Sequence, residues 1–152
     1  MSRQPIESRF TATDGESLFY RHWPAQSAKP RGVIVMFHRG HEHSGRMAHV
    51  VDELNLPDFA FFAWDARGNG QTGGPRGFSP SFGRSIRDVD EFVRFAAAQY
   101  DLPLSEVGVI AQSVGAVAVS AWVHDYAPQI RCMSLASPAF KVKLYVPFAV
   151  PG

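Results

Sequence analysis

Several things are scarce in this sequence, and each shortage narrows what the chain does. There is one cysteine, Cys132, so no disulfide forms within the chain and a multi-cysteine zinc site is excluded. Its neighbours Ile130, Met133 and Leu135 predict a buried, inert thiol in a reducing compartment. Neither sign of charge is in excess. Fifteen Lys and Arg against fourteen Asp and Glu leave +1, which gives no electrostatic basis for a nucleic-acid or anionic-membrane partner. Long hydrophobic runs are missing as well: no stretch approaches the ~20 apolar residues of a transmembrane segment. The opening Met1-Ser2-Arg3-Gln4-Pro5-Ile6-Glu7-Ser8 lacks the apolar region of a secretory signal, so a cytoplasmic location is the expectation.

What is present is apolar and patterned. With 45% hydrophobic residues, 12 Phe and 3 Trp among 152 residues, the composition is that of one globular domain. Runs 6–11 and 17–23 read as two strands around the turn signal Asp14-Gly15. Continuous apolar runs at 32–37, 59–64, 107–111 and 130–136 suit strands of a parallel sheet covered on both faces. Between them, Met47, Val50, Val51 and Leu54 recur at helical spacing before Pro57. Ile86, Val89, Phe92, Val93, Ala96 and Tyr100 form a second helical stripe, with Ser85 and Asp88 as its expected cap. From Val114 onward the chain is apolar nearly all round, as in a buried helix. This order predicts an α/β fold: an N-terminal hairpin, then a parallel sheet with helices on both faces. Such sheets bind ligands beyond the carboxyl ends of their strands. The loops 38–46, 65–77, 112–114 and 137–141 all follow strands and are expected on one rim.

The chemistry centres on the break between strand and helix at Gln112 and Ser113. Ala111 and Gly115 stand two residues to either side, which gives the nucleophile-elbow pattern of serine hydrolases. A serine hydroxyl is a poor nucleophile until it is aimed, given a base and faced with donors for an oxyanion. The elbow aims Oγ by holding the serine in a strained backbone conformation that bulky neighbours would forbid. The helix N-terminus adds its dipole and the Val114 N–H.

The loop after the first parallel strand reads His38-Arg39-Gly40-His41-Glu42-His43-Ser44-Gly45-Arg46. Here the sequence resembles the monoacylglycerol lipase and lysophospholipase branch of the α/β-hydrolases, whose loop carries a histidine, small residues and then Glu-His-Ser-Gly-Arg. Three further matches follow in order. Asp65-Ala66-Arg67-Gly68-Asn69-Gly70-Gln71-Thr72 corresponds to Asp-x-Arg-Gly-x-Gly-x-Ser, the elbow follows, and Leu135-Ala136-Ser137-Pro138 falls where the family's cap begins. The resemblance implies a serine ester hydrolase acting on a small acyl ester, without cofactor or metal. Ser113 would be its nucleophile and the backbone N–H groups of Gly40 and Val114 its oxyanion hole. His38, Arg39, Gln112 and Gly115 would support them, His38 by organising its loop. It also implies a core at 1–137 and the start of a cap at 138–152, where Phe140, Val142, Leu144, Val146 and Phe148 suit an acyl chain or cap packing. Three residues depart from the pattern: Arg39 and Ala111 replace glycines, and Thr72 replaces a serine.

Two rival patterns are weaker. His38, His41, His43 and Glu42 are metal-ligating types, but no H-E-x-x-H spacing or cysteine companion accompanies them. Gly68-Asn69-Gly70-Gln71-Thr72-Gly73 fits a dinucleotide fingerprint, yet Gly74-Pro75-Arg76-Gly77 stands where a helix would have to begin. A base for Ser113 is harder to find. The triad order of this superfamily puts acid and histidine after the serine, and the only later histidine is His124, beside Asp125. It lies eleven residues along the helix, about 16 Å at 1.5 Å per residue, against the ~3 Å a base requires. His22 and His49 fall in the hairpin and in a helix. The expectation is therefore the N-terminal part of a hydrolase, truncated before the last strands and within the cap. Its run 130–136 would form an open edge that pairs with the missing C-terminal part or with a second copy. The alternative is a non-catalytic module that binds acyl ligands or pairs with another chain through that edge.

Overall fold

The computed structural model describes residues 2–141. The hairpin forms as expected, with β1 (Ile6–Thr11) antiparallel to β2 (Ser17–Trp23). Four strands run parallel to one another: β3 (Gly32–Phe37), β4 (Phe59–Trp64), β5 (Val107–Gln112) and β6 (Cys132–Ala136). The sheet order is β1-β2-β4-β3-β5-β6, with β2 antiparallel to β4. A short 3-10 turn (Ser44–Met47) leads into α1 (Ala48–Leu54), which packs on one face of the sheet. On the other face lie α2 (Phe82–Ala98) and α3 (Val114–Tyr126).

The apolar runs of β3 and β4 show no alternation in sequence, yet alternation sorts their side chains into two cores. Val33, Val35, Phe37, Phe62 and Trp64 join the helices α2 and α3. Ile34, Met36, Phe61 and Ala63 meet Met47 and Val51 on the α1 side. A strand that feeds two cores must be apolar at every position, which is why the runs are continuous. Phe92 of α2 is the hub of the larger core. Its ring lies 5.4–6.3 Å, centroid to centroid, from those of Phe10, Tyr20, Phe37, Trp64 and Phe95.

Several expectations require correction. The helix expected to start at Ser85 begins a turn earlier: Ser81 is its cap, accepting the Arg84 N–H at 3.0 Å. Ser85 bonds instead to the Ser79 hydroxyl, and Asp88 is drawn into the interior by two arginines. The apolar helix α3 is not buried all round. Ala116, Val119 and Trp122 face the sheet and α2, while Val114 is 55% exposed. Cys132 is exposed, not buried. It sits on β6, an edge strand whose other residues are also exposed apart from the half-buried Leu135. Apolar neighbours along a strand do not bury a thiol when nothing among the described residues packs over it. β6 also starts at Cys132 rather than at residue 130, and β5 extends to Gln112, paired with Ala136. The cap positions Val142, Leu144, Val146 and Phe148 lie outside the described residues. Among the described residues, no helix is long and apolar enough to cross a membrane.

Replacing Phe92 by alanine empties the centre of the aromatic cluster. The expected loss of stability is about 3–5 kcal/mol, read as a lower denaturant midpoint at an unchanged slope. A loss below about 1 kcal/mol would show that Phe92 is not the hub.

Candidate active site

The loops that follow β3, β4, β5 and β6 meet at one rim, and a buried carboxylate holds the first two together. Asp65 follows β4 and is fully buried. Its Oδ1 accepts the Ser44 N–H and the Ser44 hydroxyl, each at 2.6 Å, and its Oδ2 accepts the Gln71 N–H at 2.8 Å. Arg21 donates to the same Ser44 hydroxyl at 2.6 Å. Gly70 turns the chain closely around this carboxylate at φ +50°, and a Cβ there would collide with it. The Thr72 hydroxyl donates to the Asp65 carbonyl and accepts the Phe19 N–H, so threonine serves fully where the family pattern has serine. The glycine-rich loop is thus a turn closed on Asp65. The next helix does not start until Phe82, which removes the dinucleotide reading.

His38 is a second latch. It is buried, its Nδ1–H donates to the Arg39 carbonyl at 2.6 Å, and its Nε2 accepts the Ala66 N–H at 3.0 Å. Accepting at Nε2 fixes the neutral tautomer, and burial holds the ring's pKa below its ordinary value. Both nitrogens are committed, so His38 organises the loop and is not available as a proton acceptor.

Ser113 links β5 to α3 at φ 55°, ψ −116°, a region rare for any residue with a Cβ. Its N–H donates to the Ala136 carbonyl at 2.9 Å, and its own carbonyl accepts from Val117 and Ala139. Its hydroxyl makes no capping bond to the helix. Gly115 lies so close to β3 that a Cβ would stand 2.6 Å from the His38 carbonyl oxygen. A Cβ on Gly40 would touch the Val114 side chain at 3.5 Å. His38, Gly40, Val114 and Gly115 therefore gather beside Ser113, and together they border a cavity of about 160 Å³ that is apolar at Phe37 and Trp64. Gln112 points to a second hollow on the α1 side, which it shares with Arg39 and Glu42. Arg39 is exposed on the rim. Its Nε donates to Glu42 Oε1 at 2.7 Å, Nη2 lies 2.6 Å from the same oxygen in the ion pair, and Arg46 donates to Glu42 Oε2 at 3.1 Å. These bonds, that of Arg39 foremost, hold the Glu42 carboxyl below its usual range.

One feature of the rim was not legible in sequence. Asp88 is buried and takes both oxygens' bonds from Arg67 at 3.0 Å, with Arg84 at 2.8 Å. Arg67 also reaches Asp14 in the hairpin turn at 2.9 Å, and Arg84 reaches Glu91. The i, i+4 pair of Arg84 and Asp88 was the available signal, but the reach of Arg67 across the fold was not. His124 is 88% exposed and bonds to Asp125 at 2.8 Å, away from the rim as expected. Among the described residues, no three His, Cys, Asp or Glu side chains converge as metal ligands.

A six-stranded mixed sheet, helices on both faces and a strained serine at a strand-to-helix turn define an α/β-hydrolase fold, and solved structures agree. A thermostable carboxyl esterase from Bacillus coagulans matches at TM-score 0.70 and 22% identity, over 89% of this chain and 44% of that one. A soluble variant of monoglyceride lipase from Saccharomyces cerevisiae matches at TM-score 0.67 and 20% identity, over 91% of this chain and 46% of that one. Within that fold, the chain belongs to the family described as serine aminopeptidase, S33, whose model matches residues 28–151. Two relatives are the uncharacterized protein YnbC of Escherichia coli (strain K12) and a monoacylglycerol lipase of Mycolicibacterium smegmatis. YnbC is 67% identical over 151 residues, which are 99% of this chain and 26% of that protein. The lipase is 31% identical over 138 residues, 88% of this chain and 46% of that protein. The chain thus spans a quarter to a half of these relatives.

Gly115→Ala would force a Cβ onto a backbone oxygen that cannot rotate away. The expected cost is about 1–3 kcal/mol of stability, with displaced amide resonances at His38 and Gly40; unchanged resonances there would disprove the close approach. A pH dependence also follows. Burial pushes His22, stacked on Phe62, down to about 4, and lowers His38. The unfolded chain binds these protons near pH 6.5 and the folded chain does not. Stability is therefore full above 6.5 and falls as pH drops from 6.5 toward 4. Denaturation midpoints across that window should fall less steeply in His22→Phe, and an equal slope would rule out His22 as a contributor.

Proposed function

We propose that this chain carries the nucleophile and the oxyanion donors of a serine ester hydrolase of monoacylglycerol-lipase or lysophospholipase type. The observation that carries the reading is the conformation of Ser113. A non-glycine residue at φ 55° on a strand-to-helix turn is strained, and strain of about 1–3 kcal/mol persists where the fold over-determines it, typically at reactive sites. In this reading Ser113 Oγ attacks the carbonyl carbon of an acyl ester and its proton passes to a general base. The carbonyl oxygen becomes an oxyanion held by the N–H groups of Gly40 and Val114. Collapse of the tetrahedral intermediate breaks the ester C–O bond. The alcohol leaves with the proton from the base, and water then releases the acid by the same steps in reverse roles.

The base is assigned to a histidine that lies outside these 152 residues, since residues 142–152 contain none. His38 has both nitrogens engaged by the backbone, and His124 is turned to solvent with Asp125. The family membership and the lipases and esterases among its relatives support the reaction class. The cavity beside Gly40 and Val114, apolar at Phe37, Trp64 and Ala118, is suited to the uncharged part of a small ester.

An alkyl fluorophosphonate tests the assignment. Peptide mapping should place the covalent adduct on Ser113, and Ser113→Ala should remove it. A folded protein that supplies that histidine and still gains no mass, or gains it at another residue, would falsify the assignment of Ser113.

A further inference from the structure

Alternation along β2 turns Tyr20 and His22 toward α2 and sends Arg21 to the face that α1 covers, opposite Ala63. There the Arg21 guanidinium is 14% exposed and stands over the Phe19 ring at 5.0 Å. A charge drawn onto a covered sheet face needs partners that outweigh its lost hydration. Arg21 has two. Nη2 lies 3.3 Å from Oε1 of the exposed Glu7, and Nη1 donates to the buried Ser44 hydroxyl at 2.6 Å. Behind Ser44 stands the Asp65 carboxylate, whose Oδ1 is 3.9 Å from the same Nη1. Among the described residues, Arg21 is the one ion-pair partner of Asp65.

Ser44 is gripped from both sides. Its hydroxyl proton goes to Asp65 Oδ1, its lone pair accepts from Arg21, and its N–H goes to Asp65 as well. Gly45 shows how closely the loop is seated: a Cβ there would stand 3.4 Å from Arg21 Cζ and 2.8 Å from the His43 ring. The turn 43–45 thus lies between a cation of the hairpin and an anion at the end of β4. Gly40 is two residues after His38 and four before Ser44. The His38 ring, bonded to Ala66, holds one end of this short span, and Ser44 holds the other. Without Arg21, Asp65 is a buried anion lacking a counter-charge, and it relaxes by admitting water. That water competes with Ser44 for the carboxylate and loosens the far end of the span.

We propose that Arg21 is a positioning residue for the oxyanion hole: through Ser44 and Asp65 it sets where the Gly40 N–H points. The inference rests on the ester-hydrolase reading for what that N–H does, but the placement itself is read without turnover. It concerns one of the two donors, because no hydrogen bond of this network reaches α3 and its Val114 N–H. The folded 152-residue chain is labelled with nitrogen-15, and the Gly40 and Val114 amide resonances are compared among variants. Arg21→Met keeps an apolar stem over Phe19; it should displace Gly40 and leave Val114 in place. Ser44→Ala should displace Gly40 as well, and the double variant should add little to either change. Arg21→Lys keeps the charge without the planar fork. It should displace Gly40 less, and it carries the comparison if the methionine variant does not fold. Glu7→Gln removes only the exposed partner and should leave Gly40 where it is.

The chemical half is read in a protein that supplies the histidine, as the second-order rate of fluorophosphonate labelling at Ser113. Arg21→Met should slow labelling at least about tenfold, since a misplacement of ~1 Å can cost ~100-fold. Arg21→Lys should restore most of that rate. A merely structural arginine would instead lower the denaturation midpoint and leave the labelling rate of the folded protein unchanged, and that result overturns the proposal. So does a Gly40 resonance that stays in place in every folded Arg21 variant, or one that Glu7→Gln displaces equally. Additive displacements from Arg21→Met and Ser44→Ala overturn it too, because the influence of Arg21 then bypasses Ser44. The two readings fail separately. Absent labelling in the unsubstituted protein removes Ser113 as nucleophile and leaves the Gly40 displacement standing, whereas normal labelling with an unmoved Gly40 removes Arg21 alone.

Discussion

A carboxyl group shut off from water must fill its oxygen lone pairs from the protein or destabilise the fold by several kcal/mol. Asp65 meets that demand with backbone N–H groups from Ser44 and Gln71 and with the Ser44 hydroxyl. Two loops that are distant in sequence are thereby forced into one register at the ends of β3 and β4. His38 adds a bond from Ala66, the residue after Asp65, and so fixes the start of the loop whose later part Asp65 holds. Gly40 lies between these two latches. Its position beside Val114 is therefore set by buried hydrogen bonds of neighbouring residues rather than by any contact of its own side.

The parts of this arrangement that sequence reveals are those governed by local rules. Continuous apolar runs marked β3, β4 and β5 within a residue, because strands feeding two cores cannot afford a polar position. The small residues around Ser113 marked the elbow, because the strained turn tolerates little else. Burial was less legible, since it depends on what packs over a residue and not on the residue alone. Cys132 and Val114 lie in apolar stretches and are exposed; Asp88 carries a charge and is buried. The start of α2 was misplaced for a related reason. Ser81 and Ser85 are both capable caps, and the choice fell to Ser81 because Asp88 is taken up by Arg67 and Arg84.

The two arginines of the rim show how the same side chain takes opposite roles. Arg67 is enclosed, and its bonds to Asp88 first and Asp14 next raise its pKa. Removing Asp88 would take the main partner from two largely buried guanidinium groups, and the cluster ties the hairpin turn, the glycine-rich loop and α2 into one unit. The Arg39–Glu42–Arg46 group is open to solvent, where an ion pair contributes at most about 1 kcal/mol.

The strain at Ser113 divides the site into two mechanically different halves. Gly40, His38 and Gly115 are anchored to β3, which is buried along its whole length. Ser113 itself is held in its left-handed conformation by bonds from the other side, to Ala136 at the end of β6 and to Ala139 beyond it. β6 is the most exposed of the four parallel strands. Conformational strain of about 1–3 kcal/mol is sustained only while the surrounding bonds outweigh it, and edge segments with few buried contacts open most readily. A change in what packs over β6 would therefore reach Ser113 and its neighbour Val114 before it reached Gly40. The backbone of Ser113 is coupled to one edge strand, while His38 and Gly115 are held against the buried β3.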